Sequence, residues 1–112
     1  MQNMKQLLEE TKKSSGQIAQ EYPDQMKGLG AFAEAMEGGD ALDTKTKELI
    51  AVALSVVKQC TYCIAFHVKA ALDAGATKDE LMESTFVAVL MGGGPAFMYG
   101  KLVRQAIDDL GA

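Results

Sequence analysis

The run Leu49-Ile50-Ala51-Val52-Ala53-Leu54-Ser55-Val56-Val57 limits the folds open to this chain more than any other segment does. Such a run, with a single hydroxyl in it, belongs in a core, as either a buried strand or a buried helix. Its polar ends extend it to helical length, and no other part of the chain alternates as strands do. We therefore read residues 43–58 as the central helix. Asp43 or Thr44 serves as its N-cap, and Glu48 lies in the early turns, where a carboxylate suits the helix dipole.

The remaining segments read as helices around it. Residues 2–21 predict a polar helix with Leu7, Leu8, Ile18 and Ala19 as its apolar contacts, interrupted near Ser14-Ser15-Gly16. Pro23 opens a second helix whose stripe of Met26, Leu29, Phe32, Ala33 and Met36 reads as core until Gly38-Gly39 ends it. A fourth helix runs from a break at Gln59-Cys60 to Ala74 and is closed by Gly75. Thr77 caps the next, with Asp79 and Glu80 in its first turn and Leu81, Met82, Phe86, Val87 and Leu90 along it. Gly92-Gly93-Gly94 stops that helix, and Pro95 begins the last, which reaches about Leu110. The expectation is an all-α bundle of five to six helices forming one domain over residues 1–112.

Composition narrows the function. The net charge is −4 and the 11 basic residues are scattered, so the clustered cations that nucleic acid requires are missing. No apolar run approaches the roughly 20 residues of a membrane span, and the N-terminus, with Glu9 and Glu10, lacks a signal-peptide core. A cytoplasmic protein is expected. With 48% hydrophobic residues in so short a chain, an apolar face is left for a second copy to cover, so a homo-oligomer is expected too. Met26, Met36, Met82, Met91 and Met98 suit gaps in a core or in such an interface.

The chemistry concentrates in Cys60-Thr61-Tyr62-Cys63-Ile64-Ala65-Phe66-His67. It holds both cysteines and the one histidine of the chain. On a shared helix, positions 60, 63 and 67 fall within an arc of about 60°. Free N–H groups at a helix start favour a thiolate. A second thiol three residues away can resolve a sulfenic acid or mixed disulfide by forming an internal disulfide. His67, one turn beyond Cys63, can move the proton. Two packed cysteines beside a core histidine is the plainer alternative. A zinc site is another, but it lacks a second pair of Cys or His ligands and would need Glu48 or a neighbouring subunit to complete it.

Glu48 stands twelve residues before Cys60, and His67 four after Cys63. With Lys-Thr-Lys-Glu-Leu-Ile-Ala-Val-Ala ahead of the cysteines and Ala-Ala-Leu-Asp-Ala-Gly-Ala behind them, the stretch from Lys45 to Ala76 resembles the AhpD-like branch of the carboxymuconolactone decarboxylase family. The resemblance implies a helical fold and thiol-dependent peroxidase or disulfide reductase activity. Its catalytic set is Cys60, Cys63, His67 and Glu48, the last two forming a proton relay. It implies Cys63 as the sulfenic acid site and Cys60 as the resolving, exchanging partner, whereas helix-start physics alone favours Cys60 as the more reactive thiolate. No cofactor is implied beyond a redox-active Cys60–Cys63 disulfide, and no metal. The implied partners are a peroxide or disulfide substrate, a thiol or protein electron donor, and further copies of the chain as a trimer or hexamer. One departure is Tyr62, where larger members often carry a second histidine; a phenol is a poorer proton shuttle at neutral pH. The rival reading is a redox-responsive or metal-holding oligomeric module without turnover.

Overall fold

The computed structural model describes residues 3–111, and among them all regular structure is helical: α1 (Met4–Glu21), α2 (Pro23–Glu37), α3 (Thr44–Val57), α4 (Thr61–Asp73) and α5 (Lys78–Leu110). Capping residues set the boundaries. The Asp43 carboxylate accepts the Thr46 N–H at 2.8 Å. Thr77 and Glu80 form a reciprocal box at the start of α5, each side chain accepting the other's backbone N–H. Pro23 takes the first turn of α2, where its missing N–H costs nothing.

α5 is two arms rather than one rod. At Gly93 the backbone takes φ 70° and ψ −152°, a conformation outside the helical region that glycine alone tolerates well. A methyl placed on Gly100 would lie 2.8 Å from Thr85 Cγ2, whereas a straight helix would hold these residues about 22 Å apart. The chain therefore folds back at Gly93, as the glycine run and Pro95 predict. By length and apolar content α5 is the one candidate membrane span among the described residues. Its reversal leaves arms of about 25 Å at most, short of the roughly 30 Å hydrocarbon layer.

The core lies where α3, α4 and both arms of α5 meet: Val52 and Val56, Ile64 and Val68, Leu81 and Val103 are each shut off from water. Side chains of this size contribute roughly 1.5–3 kcal/mol each on full burial. α1 closes one side. Its Met4 is buried, and the Met4 N–H donates to Asp109 near the end of α5 at 3.0 Å.

Four expectations change. α1 runs unbroken through Ser14-Ser15-Gly16, because the roughly 1 kcal/mol that glycine costs in a helix is outweighed by the packing of Leu7 and Leu8 on the core. Ile18, expected to pack, is exposed. The α2 stripe is not core: Leu29, Phe32 and Met36 are each more than half exposed, and α2 rests mainly on α1. The radius of gyration, 14.5 Å, exceeds the about 13 Å of a compact chain this long for the same reason. The central helix α3 is two-faced as well, with Val52, Ser55 and Val56 inside but Ile50, Leu54 and Val57 open to solvent. Periodicity marks an apolar face but does not say that the same chain covers it.

Candidate active site

A tight turn delivers Cys60 to the start of α4. Gln59 N–H donates to Val56 O and Cys60 N–H to Ser55 O, both at 3.1 Å, the paired bonds of a Schellman ending for α3. The residue that turns the chain is Gln59, at φ 57°, in the left-handed region where a side chain costs roughly 1–2 kcal/mol.

Cys60 is the N-cap of α4 and not part of it, with φ −110° and ψ 98°. The helical arc expected for three residues therefore holds for Cys63 and His67 only, and Cys60 meets them by another route. Its Sγ is bonded to that of Cys63 at 2.10 Å and accepts the Cys63 N–H at 3.2 Å. The sulfur occupies the position a capping oxygen usually takes, facing the positive end of the helix dipole. Both cysteines are partly exposed.

His67 follows Cys63 by one helical turn. Its Nδ1 lies 2.7 Å from Oε2 of Glu48, which reaches across from α3. The two side chains keep 26% and 16% of their exposure, enough shelter to fix their geometry and enough access for a proton to leave. The pairing uses Nδ1 and so directs chemistry to Nε2. The Phe66 ring meets the imidazole edge-on, centroids 5.0 Å apart and planes at 86°, and Tyr62 packs on Phe66 at 5.9 Å.

Glu48 thus meets His67 between α3 and α4, and Cys60 meets Cys63 at the start of α4, with His67 one helical turn further on. Two neighbours on the Glu48 face do not join them. Ser55 is buried and donates its hydroxyl back to Ala51 O at 2.6 Å, and Gln59 is exposed, acting through its backbone. The aromatic wall of Tyr62 and Phe66 was missed, although its four-residue spacing along α4 was a visible signal. Among the described residues no group of three or more His, Cys, Asp or Glu side chains is placed to hold a metal ion.

Known proteins share this arrangement of helices. The structure of a carboxymuconolactone decarboxylase family protein from Legionella pneumophila superposes with a TM-score of 0.93, at 38% identity over 97% of each chain. A second member, from Thermotoga maritima and a candidate for involvement in an antioxidative response, gives 0.76 at 25% identity, over 93% of this chain and 86% of that one. More distantly, the alkyl hydroperoxide reductase AhpD of Mycobacteroides abscessus is 30% identical over 56 residues, which are 50% of this chain and 32% of that protein. The sequence model of the carboxymuconolactone decarboxylase family matches residues 23–106, from the first turn of α2 to the second arm of α5. With that match spanning the helices that build the site, the chain belongs to the carboxymuconolactone decarboxylase family.

Proposed function

We propose that this chain reduces peroxides or disulfides through a Cys60–Cys63 dithiol, with His67 and Glu48 moving the proton. The observation that carries the reading is a Glu48–His67 pair set one helical turn along α4 from the Cys60–Cys63 disulfide. Glu48 holds His67 at 2.7 Å, and His67 stands one turn past Cys63. In the reduced protein, His67 takes the Cys63 proton and the thiolate attacks the outer oxygen of the peroxide. The S–O bond forms as the O–O bond breaks, and the departing alkoxide recovers the proton and leaves as an alcohol. Cys60 then displaces hydroxide from the sulfenic acid, which closes the disulfide and releases water. An outside dithiol returns two electrons by exchange. Cys60 suits that last step, since the Cys63 N–H at its sulfur stabilises the thiolate that must depart.

The name of the AhpD relative and the antioxidative context of the Thermotoga neighbour support this reaction class. A cycle of free dithiols also fits the reducing cytoplasm. The exposed stripes of α2 and α3, together with Leu90 and Met91 at 80% and 79% exposure, support a homo-oligomer, a trimer or hexamer, with these faces between copies. Sedimentation at micromolar concentration tests that assembly, and a monomer would refute it.

The chemistry is tested by hydroperoxide consumption with dithiothreitol as electron source, on wild type beside Cys60→Ser, Cys63→Ser and Glu48→Gln. Turnover should vanish in both serine variants and fall about 100-fold in Glu48→Gln, the usual worth of an assisted proton transfer. Equal rates in all four proteins would overturn the assignment.

A further inference from the structure

Two side chains hold the His67 ring, and the thiol cycle as described uses only one of them. Glu48 fixes a single atom, with its Oε2 at 2.7 Å from Nδ1. The torsion that turns an imidazole about its Cβ–Cγ bond is broad. A ring pinned through one atom therefore still tips about that bond, or flips to the rotamer that turns a carbon toward the carboxylate. A second contact, made to the ring and not to Nδ1, removes that freedom. Phe66 supplies it: its ring stands at 86° to the imidazole with centroids 5.0 Å apart, the perpendicular arrangement that aromatic pairs favour.

Phe66 is itself 44% exposed, so it needs an anchor. Tyr62, one turn earlier on α4 and more sheltered, packs on it with centroids 5.9 Å apart. Residues four apart on a helix share a face, so α4 alone builds the row Tyr62, Phe66, His67, and Glu48 joins it from α3. The carboxylate accepts from Nδ1, which puts the proton of the neutral ring there and leaves Nε2 bare.

We propose that Phe66, backed by Tyr62, is a positioning residue for His67: it holds the imidazole in the one orientation that keeps Nδ1 on Glu48 and leaves Nε2 free to exchange protons. This rests on the proton relay proposed above. The orientation itself, however, belongs to the folded chain and is measured without any turnover.

His67 is the one histidine of the chain, so isotope-labelled imidazole nitrogens give a single pair of resonances whose shifts report which nitrogen carries the proton. In the disulfide form, at a pH where the ring is neutral, wild type should show mainly the Nδ1–H tautomer. Phe66→Leu keeps apolar bulk and removes the ring. The ratio of Nδ1–H to Nε2–H should then fall about fivefold, equivalent to about 1 kcal/mol and within the worth of one aromatic pair. Phe66→Tyr keeps the ring and should restore the ratio, and Tyr62→Leu should lower it only about twofold. With dithiothreitol as reductant, kcat/KM for hydrogen peroxide, a substrate too small to lean on Phe66, should follow the same order across the variants. An unchanged tautomer ratio in Phe66→Leu, or an equal loss in Phe66→Tyr, overturns the proposal. If wild type turns over no peroxide, the relay reading fails, and the tautomer ratios still decide for or against Phe66 as the residue that orients the ring.

Discussion

α4 is bounded by two turns of the same construction and opposite character. Before it, α3 ends with Gln59 N–H on Val56 O and Cys60 N–H on Ser55 O; after it, α4 ends with Gly75 N–H on Leu72 O and Ala76 N–H on Ala71 O. Both are Schellman endings, and both need one residue in the left-handed region. At the far end that residue is Gly75, φ 90°, with no side chain to strain; at the near end it is Gln59, φ 57°. The unrelieved turn is the one that places Cys60 at the start of α4, bonded to Cys63. Strain of this kind persists where surrounding structure dictates it, here the bonds that close the turn and the disulfide that follows.

If the near end serves chemistry and the far end stability, substitutions should separate the two. Glu48→Gln tests the near end most severely: loss of the carboxylate that orients His67 should lower peroxide turnover about 100-fold, while the midpoint of urea unfolding moves little. Gly75→Val tests the far end. Open space surrounds Gly75, so the whole penalty comes from forcing a β-branched residue to positive φ, about 1–2 kcal/mol of stability by denaturant titration. Turnover per folded molecule should not change. If Gly75→Val depresses turnover as Glu48→Gln does, the two ends are not independent and the division fails.

The contrast also explains how much of this molecule could be read from its sequence. Cys60, Cys63 and His67 were legible because their relations are local, one tight reversal and one helical turn, whereas Glu48 entered through the family resemblance, a simple hairpin setting Val52, one turn away, opposite His67. Caps at Asp43 and Thr77 and the break at Gly93 follow from short-range rules in the same way. What covers an apolar stripe is a long-range fact, and so the stripes of α2 and α3 read as core although they face outward in the single chain. Met4 illustrates the converse. Nothing near it in sequence reveals that Asp109, at the other end of the chain, binds its N–H. The left-handed Gln59 was invisible for a third reason, since only glycine or asparagine advertises such a backbone.

Gln59→Gly makes the two turns alike. Relief of the side chain's strain is offset in part by the greater freedom glycine has when unfolded, so the net gain should be a few tenths to about 1 kcal/mol. If Gln59→Gly instead destabilises the protein, the Gln59 side chain makes contacts that outweigh its backbone strain, and the near turn is not the strained one.

An ion pair reinforces the far end. Just past Gly75, the Thr77 box is tied to α3 by Lys45, whose Nζ lies 2.9 Å from Oε2 of Glu80. The hydrogen bond from Lys45 chiefly, then the Thr77 N–H, holds the Glu80 carboxyl below its ordinary 4.5, and the same Glu80 bond holds the Lys45 ammonium above its ordinary 10.5. A lowered acid stabilises the fold above its unfolded value and loses that contribution as pH falls through the folded one; a raised base does so below its unfolded value and loses it as pH rises through the folded one. The pair should therefore act at full strength between about pH 5 and 10 and fade on both sides. Lys45→Met keeps most of the stem and removes the charge. Its stability should fall slightly short of wild type near pH 7, by an amount that shrinks with added salt, and the two proteins should converge near pH 3. A gap of the same size at both pH values would mean that Lys45 supports this end by packing, not by its charge.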